Sequence, residues 1–252
     1  MDREEFTVMT IWQFPREQRR WAFYQMRDGT KRLAAVEGMR FGKLMGSGAG
    51  AGFSIRPNWN VYAMFTVFAS SEAFARFTEA PMWRDFEERS REAYAVVLEP
   101  LRAKGTWGGG QPFTAFHEAD NGLRAVVTRG SIQWRKLLAF WLQVPATSRA
   151  IEQAKRRIFS IGIGELPLIE QATFSLWEDE DAIREYAYRS PAHTRAVRDT
   201  HRIGWYSEEM FVRFCPVAAA GTLNGERVLQ PFGISSFEDV QSLIAHRFGP
   251  TA

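Results

Sequence analysis

The chain of 252 residues contains two similar halves. The segment Val61–Phe74 reads VYAMFTVFASSEAF and matches Glu170–Ile183, EQATFSLWEDEDAI, at an offset of 109 residues. Upstream, FGKLMGSG at Phe41–Gly48 matches FSIGIGEL at Phe159–Leu166 at an offset of 118 residues. A repeat of about 110 residues is far longer than a solenoid unit. It therefore predicts two copies of a small domain fused in one chain.

Both halves show the same order of predicted elements: strand, helix, strand, strand, helix, strand. This order is ferredoxin-like, with a four-stranded antiparallel sheet and two helices on one face. The bare face of each sheet must be covered, and two units in one chain can cover each other. We therefore predict an α+β fold in which tandem ferredoxin-like βαββαβ repeats form an intrachain αβ-barrel. The repeats are assigned to residues 1–112 and 113–222, and residues 223–252 form a C-terminal extension.

The second helix of each half is predicted to be long. In the first half Ser70-Ser71-Glu72 resembles a helix cap, and the helix is expected to run to about Tyr94. Its counterpart is expected over Asp179–Gly204, and Phe232–Phe248 should form a roughly helical tail. These boundaries are tested below.

Composition limits the partners of the chain. The net charge is +3 and no basic run is interleaved with aromatics, so nucleic acid is not expected as a partner. Nine Trp and twenty Phe residues indicate a core rich in rings, and some of these rings are expected to line a large apolar pocket. Weak attraction to an anionic membrane surface is allowed by the charge and left open, as is the oligomeric state.

Cys215 is the only cysteine, so no intrachain disulfide can form, which fits a reducing compartment. The acidic N-terminus has no apolar signal segment, and no apolar run reaches the roughly 18 residues of a membrane span. A cytoplasmic protein, soluble or at the membrane periphery, is expected.

Of the four histidines, His193 and His201 lie eight residues apart on a predicted helix. That spacing places them about 80° apart around the helix, and no Cys or carboxylate stands at zinc-ligand spacing. The repeat aligns His193 with Trp83 or Arg84, so the histidine belongs to one half only. Spacing alone assigns it no role.

The glycine-rich segment Gly46–Gly52 is part of an insertion nine residues longer than its counterpart in the second half. It lacks the G-x-x-x-x-G-K-[ST] pattern of a phosphate loop. Insertions of this kind often carry function. We therefore interpret Gly46–Trp59 as a candidate lid, with Arg56 and Trp59 facing a ligand.

Three long strings resemble the spheroidene monooxygenase family, the acyclic-carotenoid 2-ketolases of purple bacteria. They are LMGSGAGAGFSIRPNWNVYAMF at Leu44–Phe65, GIGELPLIEQATFSLW at Gly162–Trp177 and PAHTRAVRDTHRIGWYSEEMFVRF at Pro191–Phe214. The likeness extends from about Thr10 to Thr222, and the chain departs from the family pattern after that point.

This resemblance implies a haem-dependent monooxygenase that uses O₂ and a reduced ferredoxin. The family adds oxygen at C-2 of spheroidene-like carotenoids, giving a hydroxy and then a keto product. The resemblance assigns haem b as the cofactor and His193 as its axial ligand. Cations near the site, Arg198, Arg56 and Lys43, are expected to face the haem propionates.

Two alternatives remain open from the sequence. One is a haem-dependent dehydratase of the aldoxime dehydratase kind, which needs neither O₂ nor ferredoxin. The other is a non-catalytic protein that binds haem or another apolar ligand.

Overall fold

Eight strands of the computed structural model close into one antiparallel barrel with helices on its outside. The structure describes residues 5–114, 116–118, 121–189, 195, 198–200 and 202–236. The first repeat contains β1 (Phe6–Gln13), α1 (Arg19–Ala34), β2 (Met39–Gly48), β3 (Pro57–Phe68), α2 (Ser71–Thr78), α3 (Pro81–Arg89) and β4 (Glu92–Gly105). The second contains β5 (Arg124–Ile132), α4 (Leu137–Glu152), β6 (Arg157–Leu166), β7 (Glu170–Trp177), α5 (Glu180–Arg189) and β8 (Tyr206–Gly221), followed by the short β9 (Ser235–Ser236).

The strand order around the barrel is β4-β1-β3-β2-β6-β7-β5-β8, and β8 pairs back to β4. The β4–β8 contact is long, from Tyr94 opposite Gly221 to Gly105 opposite Met210. The β2–β6 contact consists of two residue pairs, one of which is Gly46 with Gly164. The predicted α+β barrel made by two ferredoxin-like repeats within one chain is confirmed, whereas its division at residues 112 and 222 stays a prediction.

Corresponding elements of the repeats can be matched residue by residue. Helices α1 and α4 have the same length and begin 118 residues apart, at Arg19 and Leu137. The first strands match at the same offset, and β3 matches β7 at 109, because Phe6 pairs with Phe68 as Arg124 pairs with Trp177. These offsets define the equivalent positions used below.

The predicted helix from Ser71 to Tyr94 is wrong, because the chain forms two helices and then a strand. The Ser70 hydroxyl accepts a hydrogen bond from the Ala73 amide and caps α2. Pro81 then starts α3, since proline lacks the N–H that a continuous helix would need and fits the first helical turn. Strand β4 begins at Glu92.

The other two helix predictions are tested in part. Helix α5 covers residues 180–189, and residues 195, 198–200 and 202–203 are also helical. The rest of the predicted helix, including His193 and His201, lies outside the described residues. In the predicted tail, Gln230–Phe232 is a 3₁₀ turn and β9 pairs in parallel with β8, while residues 237–252, with His246, lie outside the described part.

The barrel interior is packed with apolar side chains and is therefore not a channel. Met9, Phe65, Phe174 and Phe214 are fully buried there. The Phe65 ring stacks on Trp107 with 5.7 Å between centroids. Burying a large apolar side chain contributes roughly 1.5–3 kcal/mol, so this core stabilises the closed sheet.

A second apolar layer lies outside the sheet of the first repeat, beneath α1, α2 and α3. Trp12 contacts Trp83 edge to face, with ring centroids 4.9 Å apart, and Phe86 at 5.7 Å. Phe14 and Phe74 are also almost completely buried in this layer. The space between sheet and helices is thus filled by aromatic rings.

None of the described helices has the length and apolar character that a membrane span requires.

Candidate functional site

The corresponding layer of the second repeat contains a cavity of about 580 Å³. It lies between the outer face of β5, β7 and β8 and the helices α4 and α5. Its walls are mainly apolar and include Val126, Phe140, Val144, Ile151, Trp177 and Ile183. A volume of this size is within the range of sites that bind organic cofactors and substrates.

Smaller residues at equivalent positions explain why this layer is open. Gly130 stands where the first repeat has Trp12, and Thr173 stands where it has Met64. Both Trp12 and Met64 are buried in the filled layer. Losing an indole and a thioether chain removes apolar volume that the close-packed first layer contains.

Hydroxyl groups line the sheet side of the cavity. Thr128 of β5 and Thr173 of β7 stand opposite each other in the strand register. Ser175, two residues further along β7, accepts a hydrogen bond from the Trp177 indole at 2.8 Å. Among the described residues we find no hydrogen-bond partner for the hydroxyls of Thr128 and Thr173, so both can bind a ligand.

Two tyrosines of the cavity keep their protons at neutral pH. Burial raises the pKa of Tyr186 to about 12, although Arg157 partly opposes the shift. Burial also raises the pKa of Tyr206, with a smaller contribution from the Glu209 charge. These side chains act as neutral hydrogen-bond donors rather than as bases.

Arg213 of β8 is a cation in the cavity wall. Its guanidinium forms an ion pair with Glu180 at the start of α5. Its Nε is buried and has no hydrogen-bond partner within the described part of the chain. An unsatisfied buried donor is costly, so this N–H is available to an acceptor on a ligand.

The glycine-rich insertion of the first repeat reaches across to the second and closes one side of the cavity. Gly52 and Phe53 belong to the wall. The Ser148 hydroxyl donates to the Phe53 carbonyl at 2.8 Å, and the Phe53 ring packs on Phe140 at 5.8 Å. Gly162 of β6 has to be a glycine, because a Cβ there would lie 2.1 Å from the Gly52 carbonyl oxygen.

The sequence-predicted cations are not gathered in this cavity. Arg56 is exposed in the insertion, and Arg198 is exposed on the helical segment before Trp205. Lys43 lies at one end of the barrel, where its ammonium pairs with Glu165 at 2.6 Å. None of the three belongs to the cavity wall.

His193 lies outside the described residues, so its position is not part of the site geometry. The chain before and after it does reach the cavity, because Ala187 and Thr200 both belong to the wall. The Trp205 indole donates to the Thr200 hydroxyl at 3.1 Å and holds this end of the segment. Within the described ranges, no group of three His, Cys, Asp or Glu side chains could hold a metal ion.

Sequence reasoning missed Thr128, Thr173 and Arg213. Arg213 carried a readable signal, since it is a lone charge in the apolar run MFVRF. The two threonines carried a weaker one, because each is a small residue whose role is visible only from the pairing of β5 with β7.

A buried polar network closes the end of the barrel next to this repeat. Glu165 accepts hydrogen bonds from Lys43 and from the Trp107 indole. Arg129, almost completely buried, pairs with Glu208. Burial alone would raise the pKa of Glu208, but hydrogen bonds from the Gly109 and Gly108 amides, the Thr106 hydroxyl and Arg129 outweigh it and lower the pKa to about 2.

Sequence comparison finds similar proteins of one kind. Spheroidene monooxygenase of Rhodobacter capsulatus is 36% identical over 211 residues, covering 82% of this chain and 87% of the relative. Spheroidene monooxygenase of Cereibacter sphaeroides is 32% identical over 214 residues, covering 83% of this chain and 66% of the relative. No protein-family model matches the chain.

Structure comparison supports the fold. An aldoxime dehydratase crystallised with butyraldoxime aligns with a TM-score of 0.57, over 92% of this chain and 86% of that one. The two sequences are 10% identical over the alignment, so the likeness concerns the fold alone.

Proposed function

Because this chain belongs to the spheroidene monooxygenase family, we propose that it is a monooxygenase acting on an acyclic carotenoid or a similarly long apolar substrate. The observation that carries the proposal is the cavity of about 580 Å³, which opens in one repeat where the other is filled. The reaction we propose is hydroxylation at C-2 followed by oxidation to the ketone.

We propose haem b as the cofactor. The cavity fits this group in three respects: its volume, its apolar walls and the unpaired Nε of Arg213, a donor suited to a propionate. When bound, haem supplies O₂ activation with electrons from a ferredoxin-type donor. His193 is our proposed axial ligand, since it lies in the chain between the wall residues Ala187 and Thr200.

The predicted propionate cations are now graded by position. Arg198 follows His193 by five residues and remains a proposed partner. Arg56 and Lys43 stay predictions, and the exposure of the first and the Glu165 ion pair of the second give them no support. We add Arg213 because its guanidinium is held in the wall by Glu180.

The chain's own residues bind and orient the substrate. The apolar walls exclude water from an oxidisable hydrocarbon. The hydroxyls of Thr128 and Thr173 and the neutral phenol of Tyr206 supply hydrogen bonds without supplying a base. These groups are suited to stabilising a polar oxygen species in an otherwise apolar space.

The first test is haem reconstitution. Purified protein titrated with haemin should develop a Soret band at one haem per chain, and His193→Ala should shift or abolish it. His201→Ala, on the same segment, is the matched control and should retain the wild-type spectrum. A protein that takes up no haem would refute the cofactor assignment, and normal uptake by His193→Ala would refute the ligand assignment.

The second test is pigment analysis in a host that produces spheroidene. Expression should convert spheroidene to products carrying oxygen at C-2, and the conversion should require O₂. Haem uptake with unchanged pigments would instead favour the dehydratase or the non-catalytic haem protein. Turnover of an alkyl aldoxime without O₂ would then separate these two.

A further inference from the structure

The outer face of α4 is unusually apolar for an exposed helix. Trp134, Leu138 and Leu142 follow one another at intervals of four residues, and their exposed fractions are 71%, 75% and 73%. No charged residue occurs from Leu137 to Ser148. The opposite face of the same helix, with Phe140 and Val144, lines the cavity. A helix that is apolar on both faces is expected to be covered on both.

Helix α1 provides an internal reference, because it occupies the equivalent place in the first repeat. Its corresponding exposed positions are mostly charged: Arg16, Arg20, Tyr24, Arg27, Asp28 and Lys31. In α4 the same positions carry Trp134, Leu138, Leu142, Pro145, Ala146 and Arg149. The scaffold therefore does not require an apolar outer face, and α4 has acquired one.

The β6–β7 loop enlarges this surface. The Trp141 indole donates to the Leu168 carbonyl at 3.1 Å, which holds the loop against α4. The loop exposes Leu166, Pro167 and Leu168 in succession. We call Trp134, Leu138, Leu142 and Leu168 together the α4 surface.

The charges beside the α4 surface have one sign. Arg135, Lys136 and Arg149 are the charged residues between Ser131 and Ile151, and no acidic residue occurs there. The Arg135 guanidinium lies over the Trp134 ring, 5.1 Å from its centroid. Exposed apolar side chains flanked by Trp and basic residues are the pattern of helices that lie in a lipid interface.

We propose that the α4 surface docks on a bilayer containing anionic lipid, with Leu138 and Leu142 entering the boundary between headgroups and acyl chains. A second copy of the chain fits this surface less well, because a twofold contact would bring the same cations together. Docking places α4 between the lipid and the cavity. Delivery of an apolar substrate across this helix rests on the proposed function, whereas docking does not.

The test is co-sedimentation with vesicles. Full-length protein should sediment with vesicles of 70% phosphatidylcholine and 30% phosphatidylglycerol, and less with phosphatidylcholine alone or at high salt. The variant Leu138→Gln/Leu142→Gln should partition at least tenfold more weakly. Phe116→Gln, at a half-exposed ring in the segment between the repeats, is the control and should remain within twofold of wild type.

Each outcome bears on one conclusion. An unchanged Tm and an unchanged response to haemin would show that the double variant is folded. No sedimentation of the wild type, or equal sedimentation of the double variant, would overturn the proposal. A dimer in light scattering that the double variant converts to a monomer, without vesicle binding, would make the surface an interface between copies. Vesicle binding without haem uptake would refute the proposed cofactor and leave the docking intact.

Discussion

Trp12 and Gly130 occupy equivalent positions in the two repeats, and so do Met64 and Thr173. In the first repeat the larger residues fill the layer between sheet and helices with rings in edge-to-face contact. In the second the smaller residues leave a cavity. The same backbone therefore supports a structural core on one side and a binding site on the other, and side-chain volume makes the difference.

The comparison also shows how one repeat serves the other. The insertion that closes the cavity, with Gly52 and Phe53, comes from the filled repeat. The site is thus not contained in the second repeat, and its wall depends on the barrel being closed.

The largest effect is expected from opening the filled layer. Trp12→Ala removes a buried ring that contacts Trp83 and Phe86, and it should lower the free energy of unfolding by about 3–5 kcal/mol. Urea denaturation measures the change. Trp134→Ala, at an exposed ring, should stay within about 0.5 kcal/mol of wild type. Equal losses in the two variants would contradict the assignment of the first layer as core.

A second experiment compares the two loop caps. Glu208 accepts the amides of Gly108 and Gly109, and Glu92 accepts those of Asn224 and Gly225 in the other repeat. Glu208 also pairs with the buried Arg129. Glu208→Gln should therefore cost more than Glu92→Gln, about 2 kcal/mol at pH 7.

The pH dependence of this loss has a definite sign. The folded-state pKa of Glu208 is about 2, below the ordinary carboxyl value of 4.5. Its stabilisation is therefore present above pH 4.5 and is lost as the pH falls from 4.5 to 2. Wild type and Glu208→Gln should converge over that window in chemical denaturation. A difference that is constant with pH would show that the carboxylate charge is not responsible.

A third experiment fills the cavity with the residue of the other repeat. Thr173→Met should weaken haem binding at least tenfold, about 1.4 kcal/mol, because the added chain occupies ligand space. Titration of the Soret band measures it. The reciprocal Met64→Thr should lower stability and leave haem binding unchanged. Undiminished binding by Thr173→Met would place the ligand elsewhere.

The smallest effect is expected at the contact between insertion and α4. Ser148→Ala removes the hydrogen bond to the Phe53 carbonyl and should cost about 1 kcal/mol. Amide hydrogen exchange around Phe53 should accelerate. Thr147→Ala, whose hydroxyl donates within α4 to Val144, should leave that exchange unchanged. Equal exchange in both variants would show that the bond does not hold the insertion.

The duplication and the barrel were predictable because both depend on patterns that repeat. Apolar residues at matched offsets, such as Phe65 and Phe174, gave the strands, and the bare sheet faces required mutual cover. The break before Pro81 was also readable, since proline disrupts a continuous helix. It was missed because amphipathic periodicity continues on both sides of it.

The cavity wall was much less predictable. Thr128 and Thr173 become neighbours only through strand register, and Gly52 reaches the second repeat only in the closed barrel. Lys43 was placed near a ligand by its closeness in sequence to the insertion, but alternation along β2 directs it to the barrel end and Glu165. Long-range pairing, rather than local composition, determines these positions.

The two seams between the repeats, β4 with β8 and β2 with β6, join parts of a single polypeptide. Their assembly is unimolecular, so dilution does not separate them as it separates a barrel made by two subunits. A symmetric dimer must repeat every residue on both sides of its axis, and a cavity opened in one half would open in the other. Covalent continuity removes that obligation, and a stoichiometry of one ligand per chain follows from it.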